Sequence, residues 1–306
     1  MLTIGVDIGG SSVRAGLVDG SDLVLETCEA PTPRNAQALE DVITTLVAAL
    51  GGAGAVGLAV AGFVSADRRR VGFSPHLPWR DAPVAERIGR RTGMPVLLEH
   101  DANAAVVAEH RCGAAVGATV AVLVSLGTGI GGALLLDGKL FRGAHGVAPE
   151  LGHLRLVPGG RACPCGKRGC WERYCSGTAL ATTARELLER HGADGSTLGE
   201  VDALTGYRVA AAAAEGDLVA LAAVADVADW LGEGLALVAD LYDPEVVVVG
   251  GGLSRSAPLF LERAVRHYAA IVTGAGHRPL ASVRAALLGE DSGIVGAALL
   301  SRTLVS

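Results

Sequence analysis

A strand that runs into a glycine-rich turn and straight on into another strand occurs twice in this chain, and it constrains the fold more than any other feature. Leu2–Asp7 is a short apolar strand closed by an acid, followed by the turn Ile-Gly-Gly-Ser-Ser and a second strand, Val13–Val18. Val120–Leu126 leads in the same way through Gly127-Thr-Gly-Ile-Gly-Gly into Ala133–Leu136. In both places the glycines are followed by a strand, where a dinucleotide-binding fingerprint would place a helix. The repeat predicts two related halves with a boundary near residues 115–120. A chain of 306 residues can give each half its own core. Half of the residues are hydrophobic but only 4% are aromatic, so those cores must be built from Ala, Val and Leu.

The remaining elements fit this plan. A third strand is expected at Leu23–Cys28, and a helix over 35–50 carries Leu39, Val42, Ile43, Leu46 and Leu50 at helical spacing. Ala55–Ala61 and Val96–Leu98 read as buried strands, and 83–91 and 102–111 as helices. The second half is mostly helical near 177–191, 205–214, 217–241 and 258–272, with strands at Val246–Val249 and Val283–Leu287. A final helix from Ser292 to about Leu304 is free to cross back to the first half.

One segment carries metal chemistry. ELGHLRLVPGGRACPCGKRGCWE, residues 150–172, sets His153, Cys163, Cys165 and Cys170 in a ligand pattern, with a glutamate at each end. Thiolates and imidazole in a tetrahedral set suit zinc, and four protein ligands leave no open position, which makes the ion structural. Gly159, Gly160, Gly166 and Gly169 permit the turns of such a knuckle. The competing reading is buried or disulfide-bonded cysteines. Cys28, Cys112 and Cys175 are scattered and read as reduced core residues.

Charge excludes other classes. A net charge of −6, with lysine only at Lys139 and Lys167, gives no groove for nucleic acid. The arginine clusters Arg68–Arg70 and Arg87–Arg91 read as solvated faces. The N-terminus has no charged segment ahead of an apolar core, so no secretory signal is expected. The uncharged run Cys112–Leu136 has transmembrane length, but its glycines fit strand, turn and strand better. A soluble cytoplasmic protein with no membrane partner is the expectation.

Both glycine turns suit phosphate. Gly9, Gly10, Gly127, Gly129 and Gly131 make backbone N–H groups accessible, and Ser11, Ser12 and Thr128 add hydroxyl donors. Asp7 at the strand end can hold Mg²⁺ directly or through water. With the further run Gly250, Gly251 and Gly252, the pattern suggests a nucleotide held between two lobes. Asp101, where a strand hands over to a helix in Glu-His-Asp-Ala-Asn, is a candidate general base, since phosphoryl transfer needs a carboxylate at the attacking hydroxyl. It can equally be a helix N-cap. Glu150 and Glu172 can accept hydrogen bonds from sugar hydroxyls. His153 can bind the metal through one ring nitrogen and face a substrate with the other.

These motifs, with Ala61-Gly62, the segment ending at Trp79, Glu150-x-Gly-His, CPCGKRGCWE, Ser176-Gly177, VVVGGGLS and Gly296-Ala-Ala, resemble the ROK family of sugar kinases and repressors within the actin-like/hexokinase ATPase superfamily. The likeness covers essentially the whole chain. It implies a two-lobed α/β fold, a duplicated ribonuclease H-like architecture with an interlobe cleft and a zinc knuckle at 153–170. The lobes would be 1–117 and 118–290, with the helix of about 291–306 packing back on the first. It further implies transfer of phosphate from ATP, with Mg²⁺, to a hexose, most often glucose at O6, by a homodimer or homotetramer. Gly62, His76, His100, Asp101, Glu150, His153 and Glu172 would line the sugar.

No winged helix precedes the first turn, so the kinase branch is expected. Other sugars (N-acetylmannosamine, N-acetylglucosamine, allose, mannose, fructose), polyphosphate as donor, and a sensor with little turnover stay open. The chain departs from the family at Ser11-Ser12 for Thr-Lys or Thr-Asn, and at His100 and His76 where asparagine is usual. Imidazole is bulkier than an amide and titrates near neutral pH, so these two exchanges bear on sugar choice.

Overall fold

In the computed structural model, which describes residues 1–193, 195–199 and 203–305, the repeat becomes two similar sheets. β1 (Thr3–Ile8), β2 (Ser12–Val18) and β3 (Val24–Pro31) form an antiparallel meander. α1 (Ala36–Leu50) returns the chain to β4 (Val56–Val60), parallel to β1. Three short strands, β5 (Phe63–Val64), β6 (Val71–Phe73) and β7 (Arg80–Ala82), make a small sheet of their own. α2 (Val84–Thr92), β8 (Val96–His100), parallel to β4, and α3 (Asp101–Cys112) follow. The first large sheet has the order β3-β2-β1-β4-β8.

β9 (Ala121–Leu126), β10 (Ile130–Leu136) and β11 (Lys139–Phe141) open the second sheet. After α4 (Gly177–His191), α5 (Gly206–Ala214) and α6 (Leu218–Tyr242) come β12 (Val246–Gly250), α7 (Ala257–Ile271) and β13 (Ser282–Ala285). The order is β11-β10-β9-β12-β13, with β12 parallel to both β9 and β13. An antiparallel wing followed by parallel strands is thus built twice. α8 (Ser292–Ser301) ends the fold. The run Cys112–Leu136 is the end of α3, a loop, β9, a turn and β10, and no helix among the described residues is long and apolar enough to cross a membrane.

The chain divides into two compact units, 1–119 with 133–149 and 287–306, and 120–132 with 150–286. The division passes through β10, so 133–149, which the sequence reading put with the second lobe, groups with the first.

In the first unit, β1 and β4 are covered on both faces, which is why their apolar runs are nearly unbroken. Ile4, Val6, Ile8, Leu58 and Val60 pack against Leu39, Ile43, Val47 and Ile88 of α1 and α2. The opposite face is made of small residues. A Cβ at Gly5 would overlap the carbonyl of Ile294, and one at Gly57 that of Ala297, so α8 lies against both strands at backbone distance. Gly296 meets the carbonyl of Ala104 on α3 in the same way. Close packing without aromatic side chains needs such glycines.

Two sequence readings are corrected here. The arginine clusters are solvated faces only in part: Arg69 and Arg90 are exposed, but Arg68 lies 3.1 Å from the buried Glu99, Arg87 lies 3.2 Å from the buried Glu40, and Arg91 pairs with Asp41. The partners stand 31 to 50 residues away in sequence, out of reach of any local pattern. Of the three scattered cysteines, only Cys175 is a core residue; Cys28 is half-buried and Cys112 exposed.

Candidate active site and metal centre

In the first unit the chemistry collects where β1, β4 and β8 end, in parallel and in register, with Ile8 beside Val60 and Val60 beside His100. Carboxyl ends of parallel strands are where open α/β sheets bind ligands. The turn after β1 is a tight hairpin: Gly9 N–H donates to Ser12 at 3.0 Å, and the Thr32 hydroxyl donates to the Gly9 carbonyl at 2.7 Å. A Cβ on Gly10 would lie 3.2 Å from the Cβ of His76, so two separately chosen motifs are neighbours.

His76 is exposed, yet its loop is anchored by buried Leu77 and Trp79 on either side of Pro78. Ser74, which sequence reasoning missed, ties this loop down. Its buried hydroxyl donates to the Ala61 carbonyl at 2.6 Å and accepts from Leu77 N–H at 3.1 Å. Gly62 fits beneath it only because it lacks a Cβ, which would stand 2.6 Å from the Phe73 carbonyl.

Asp7 and Asp101 are the two acids of this end. Loss of hydration at the foot of β1 pushes the Asp7 carboxyl up to about 7, with Asp101 adding to the rise and Arg14, its cross-strand neighbour, opposing it. Arg14 is shared with Asp291 at 3.0 Å. Asp101 is the first residue of α3. The N-cap position falls to His100, so the capping alternative is one residue out. The Asp101 Oδ1 accepts from Ala102 N–H at 2.7 Å and lies 3.2 Å from His100 Nε2. Its side chain is nearly half exposed, which leaves the other oxygen for a substrate.

In the second unit, Gly127 N–H donates to Gly129 at 3.0 Å, and the Gly127 carbonyl accepts from Gly177 N–H at 2.8 Å. The turn therefore rests on the N-terminus of α4, capped by Ser176, whose hydroxyl accepts from Ala179 N–H. Gly206, opening α5, packs on the Gly177 carbonyl. Gly251, at φ 80°, packs on Leu126. Two of the three glycine runs and the starts of α4 and α5 are thus brought together, with open space around Gly127 and Gly252. N-terminal N–H groups and the helix dipole favour an anion there. Ser176-Gly177 carried the family likeness but was given no site role, and Gly206 was not among the candidates; a Ser or Thr N-cap followed by Gly at a helix start is the signal that could have found them.

The knuckle brings its four ligands together. The donor atoms of His153, Cys163, Cys165 and Cys170 all lie within 4.8 Å of one another. Cys165 and Cys170 sulfurs are 3.6 Å apart, and Cys163 Sγ is 3.8 Å from His153 Nδ1. Gly166 and Gly169 turn the chain at φ 88° and 81°, and Lys167 Nζ donates to the His153 carbonyl at 2.9 Å. The knuckle is pinned by Trp171, fully buried against Gly234 of α6, with Nε1–H donating to the Trp230 carbonyl at 2.8 Å.

Burial pushes the thiols of Cys163 and Cys170 up, whereas Cys165 is held below its ordinary value; burial opposes that, but the Lys167 N–H and the neighbouring thiols outweigh it. Three thiols this close ionise together only around a cation, so the group can hold a metal ion. Glu172 Oε1 is 3.0 Å from Cys163 Sγ and 3.8 Å from His153 Nδ1, and Glu150 Oε2 is 3.9 Å from His153 Nε2. Both glutamates therefore border the metal ligands, one at each ring nitrogen.

The fold recurs in known proteins. The ROK family description matches residues 3–303. A glucokinase of Streptomyces coelicolor is 41% identical over 98% of this chain and 98% of its own. A ROK family glucokinase of Streptomyces griseus, solved in complex with glucose and AMPPNP, superposes with a TM-score of 0.92 at 41% identity, covering 99% of this chain and 100% of that one. A ROK hexokinase of Thermus thermophilus gives 0.84 at 32% identity over 100% and 99%.

Proposed function

This chain belongs to the ROK family, and from that premise we propose that it is an ATP-dependent glucokinase, forming glucose 6-phosphate. The observation that carries the reading is Asp101, a half-exposed carboxylate with one oxygen held and the other free, at the strand ends beside the first glycine turn. Its support is the likeness, at 41% identity along the whole chain, to a glucokinase solved with glucose and AMPPNP.

Asp101 would accept the proton of the sugar 6-hydroxyl as that oxygen attacks the γ-phosphorus of ATP. Gly62, His76 and His100, near Asp101, and Glu150, His153 and Glu172, at the knuckle, are the residues that the family likeness would assign to the other hydroxyls. The turns at Gly9–Ser12 and Gly127–Gly131, with Gly251 and Gly252, would cradle phosphates on backbone N–H groups and the hydroxyls of Ser11, Ser12 and Thr128.

Asp7 is the residue to hold Mg²⁺, directly or through water. Two neighbouring acids, one of them driven toward neutrality, fit a divalent cation whose charge relieves both. Bound there, the ion would neutralise charge on the transferred phosphoryl group. For the knuckle we propose zinc. An ion with bonds of about 2.3 Å to sulfur and about 2.0 Å to nitrogen, in a tetrahedron, needs donors roughly 3.5–3.8 Å apart; the Cys165–Cys170 and Cys163–His153 pairs lie in that range, and all four donors fall within 4.8 Å of one another. With no open position its part is to hold His153, Glu150 and Glu172 in place. We further propose a homodimer or homotetramer, which light scattering reads directly; a monomer rejects it.

The test is turnover of purified protein with ATP and a hexose panel, beside Asp101→Asn. Glucose should be the best substrate, with a loss of at least about a thousandfold in kcat for the variant. A variant that keeps most of its kcat removes Asp101 from the base role. Preference for another hexose would move the specificity assignment to the two histidines, preference for polyphosphate would replace ATP as donor, and glucose binding without turnover would make the protein a sensor.

A further inference from the structure

Beneath the strand end that carries Asp101 lies a buried ion cluster that the proposed chemistry does not use. Glu99 is fully buried in β8. Its Oε1 accepts from His100 N–H and from the Asn103 side-chain amide, each at 2.9 Å, and from Arg142 Nε at 3.1 Å. Its Oε2 lies 3.1 Å from the Nε atoms of both Arg68 and Arg142. Arg142 is nearly buried and fully engaged, since its two other nitrogens donate to the carbonyls of Ala66 and Ser65 at 2.9 and 3.1 Å. The cluster joins three stretches far apart in sequence: the β5–β6 turn, the strand-to-helix turn at residues 99–103, and the segment after β11.

Its geometry is held against resistance. Arg68 sits at φ 60°, a left-handed conformation that side chains with a Cβ avoid. The same turn is hydrogen-bonded to β8 through Leu98 N–H to the Arg68 carbonyl at 3.0 Å. A strained backbone position that delivers a guanidinium to a buried carboxylate points to a role beyond packing. A carboxylate with two arginines leaves one positive charge in excess, next to a turn whose following residue is an acid.

We infer that Glu99, clamped by Arg68 and Arg142, is a positioning residue for Asp101. It fixes the His100 amide and the Asn103 side chain, one on each side of Asp101, so the carboxylate can move neither along the strand nor into the helix. Arg68 and Arg142 act one step further back by holding the Glu99 carboxylate in place. The inference rests on the reading of Asp101 as the base.

The experiment measures kcat, KM for glucose and for MgATP, and melting temperature for Arg142→Met, Glu99→Gln and Arg68→Lys, with Asp101→Asn alongside. Misplacing a reacting group by a fraction of an ångström predicts that Arg142→Met and Glu99→Gln lose about tenfold to a hundredfold in kcat, with both KM values within about threefold of the parent. Arg68→Lys keeps the charge but loses the planar fork, and should fall between them and the parent. Because Arg68 is the most exposed member, this variant keeps the test alive if the other two fail to fold. A lower melting temperature with unchanged kcat would overturn the inference, showing a cluster that only supports the fold. So would a loss expressed wholly in KM. Failure of the base reading is distinguishable, because only then does Asp101→Asn retain its kcat.

Discussion

At the scale of single residues, Asp7 shows how a site is kept at the expense of stability. Its carboxyl is pushed up to about 7 from an ordinary value of 3.8, first by lost hydration and then by Asp101. Between these values the folded protein holds a proton that the unfolded chain has released. Stability from this group is therefore complete below about pH 4 and is lost as pH rises to about 7, a difference of roughly 4 kcal/mol. Asp7→Asn should remove that slope. In urea titrations without Mg²⁺ or nucleotide, the variant should gain on the parent steadily from pH 4 to 7 while losing turnover; a constant difference across that range would refute the assignment. Asp7 and Asp101 were legible in the sequence because Asp7 ends an apolar run and Asp101 stands where a strand hands over to a helix. Arg68, Ser74 and Arg142 were not, because each role needs a partner at least 13 and up to 77 positions distant.

At the scale of elements, the knuckle and the small sheet stand at opposite ends of legibility. His153, Cys163, Cys165 and Cys170 lie within one loop, and their residue types have few other uses together, so spacing alone named the group that the structure assembles. β5, β6 and β7 have two or three residues each, too few for any periodicity, and none was foreseen. The knuckle is also the element whose removal should be read most directly. Cys170→Ser replaces a buried ligand. A loss of ~3 kcal/mol, ordinary for a broken metal site, lowers the melting temperature by roughly 6–12 °C. The parent should carry about one zinc per chain and lose the same increment on chelation. Less than half an equivalent in fresh protein, or a variant melting with the parent, would contradict the zinc assignment.

At the scale of the whole molecule, the repeated turn announced a duplicated fold, and the two sheets share one strand order. Where the chain crosses from unit to unit was less legible, because the crossing lies within β10 and no composition change marks it. The return at Leu287 is held by buried Glu109, which accepts from the N–H groups of Ala114, Leu287 and Leu288 at 2.7, 3.2 and 2.9 Å. α8 then lies over Gly5 and Gly57 at backbone distance. A chain truncated after residue 286 should leave the first unit unfolded although its large sheet is complete in sequence. Circular dichroism and limited proteolysis should find residues 1–119 cleaved and 150–286 resistant; a protected first segment would show that α8 is dispensable.

The position of α8 also bears on how the protein is made. The first unit contains β1 but is finished only by α8, Ser292–Ser301, whereas the second is complete once residue 286 has emerged. At roughly 5–20 residues per second, β1 must wait about 15 to 60 seconds for its partner helix. The half that starts first is therefore the half that closes last, and its small-residue face is open to chaperones until α8 emerges.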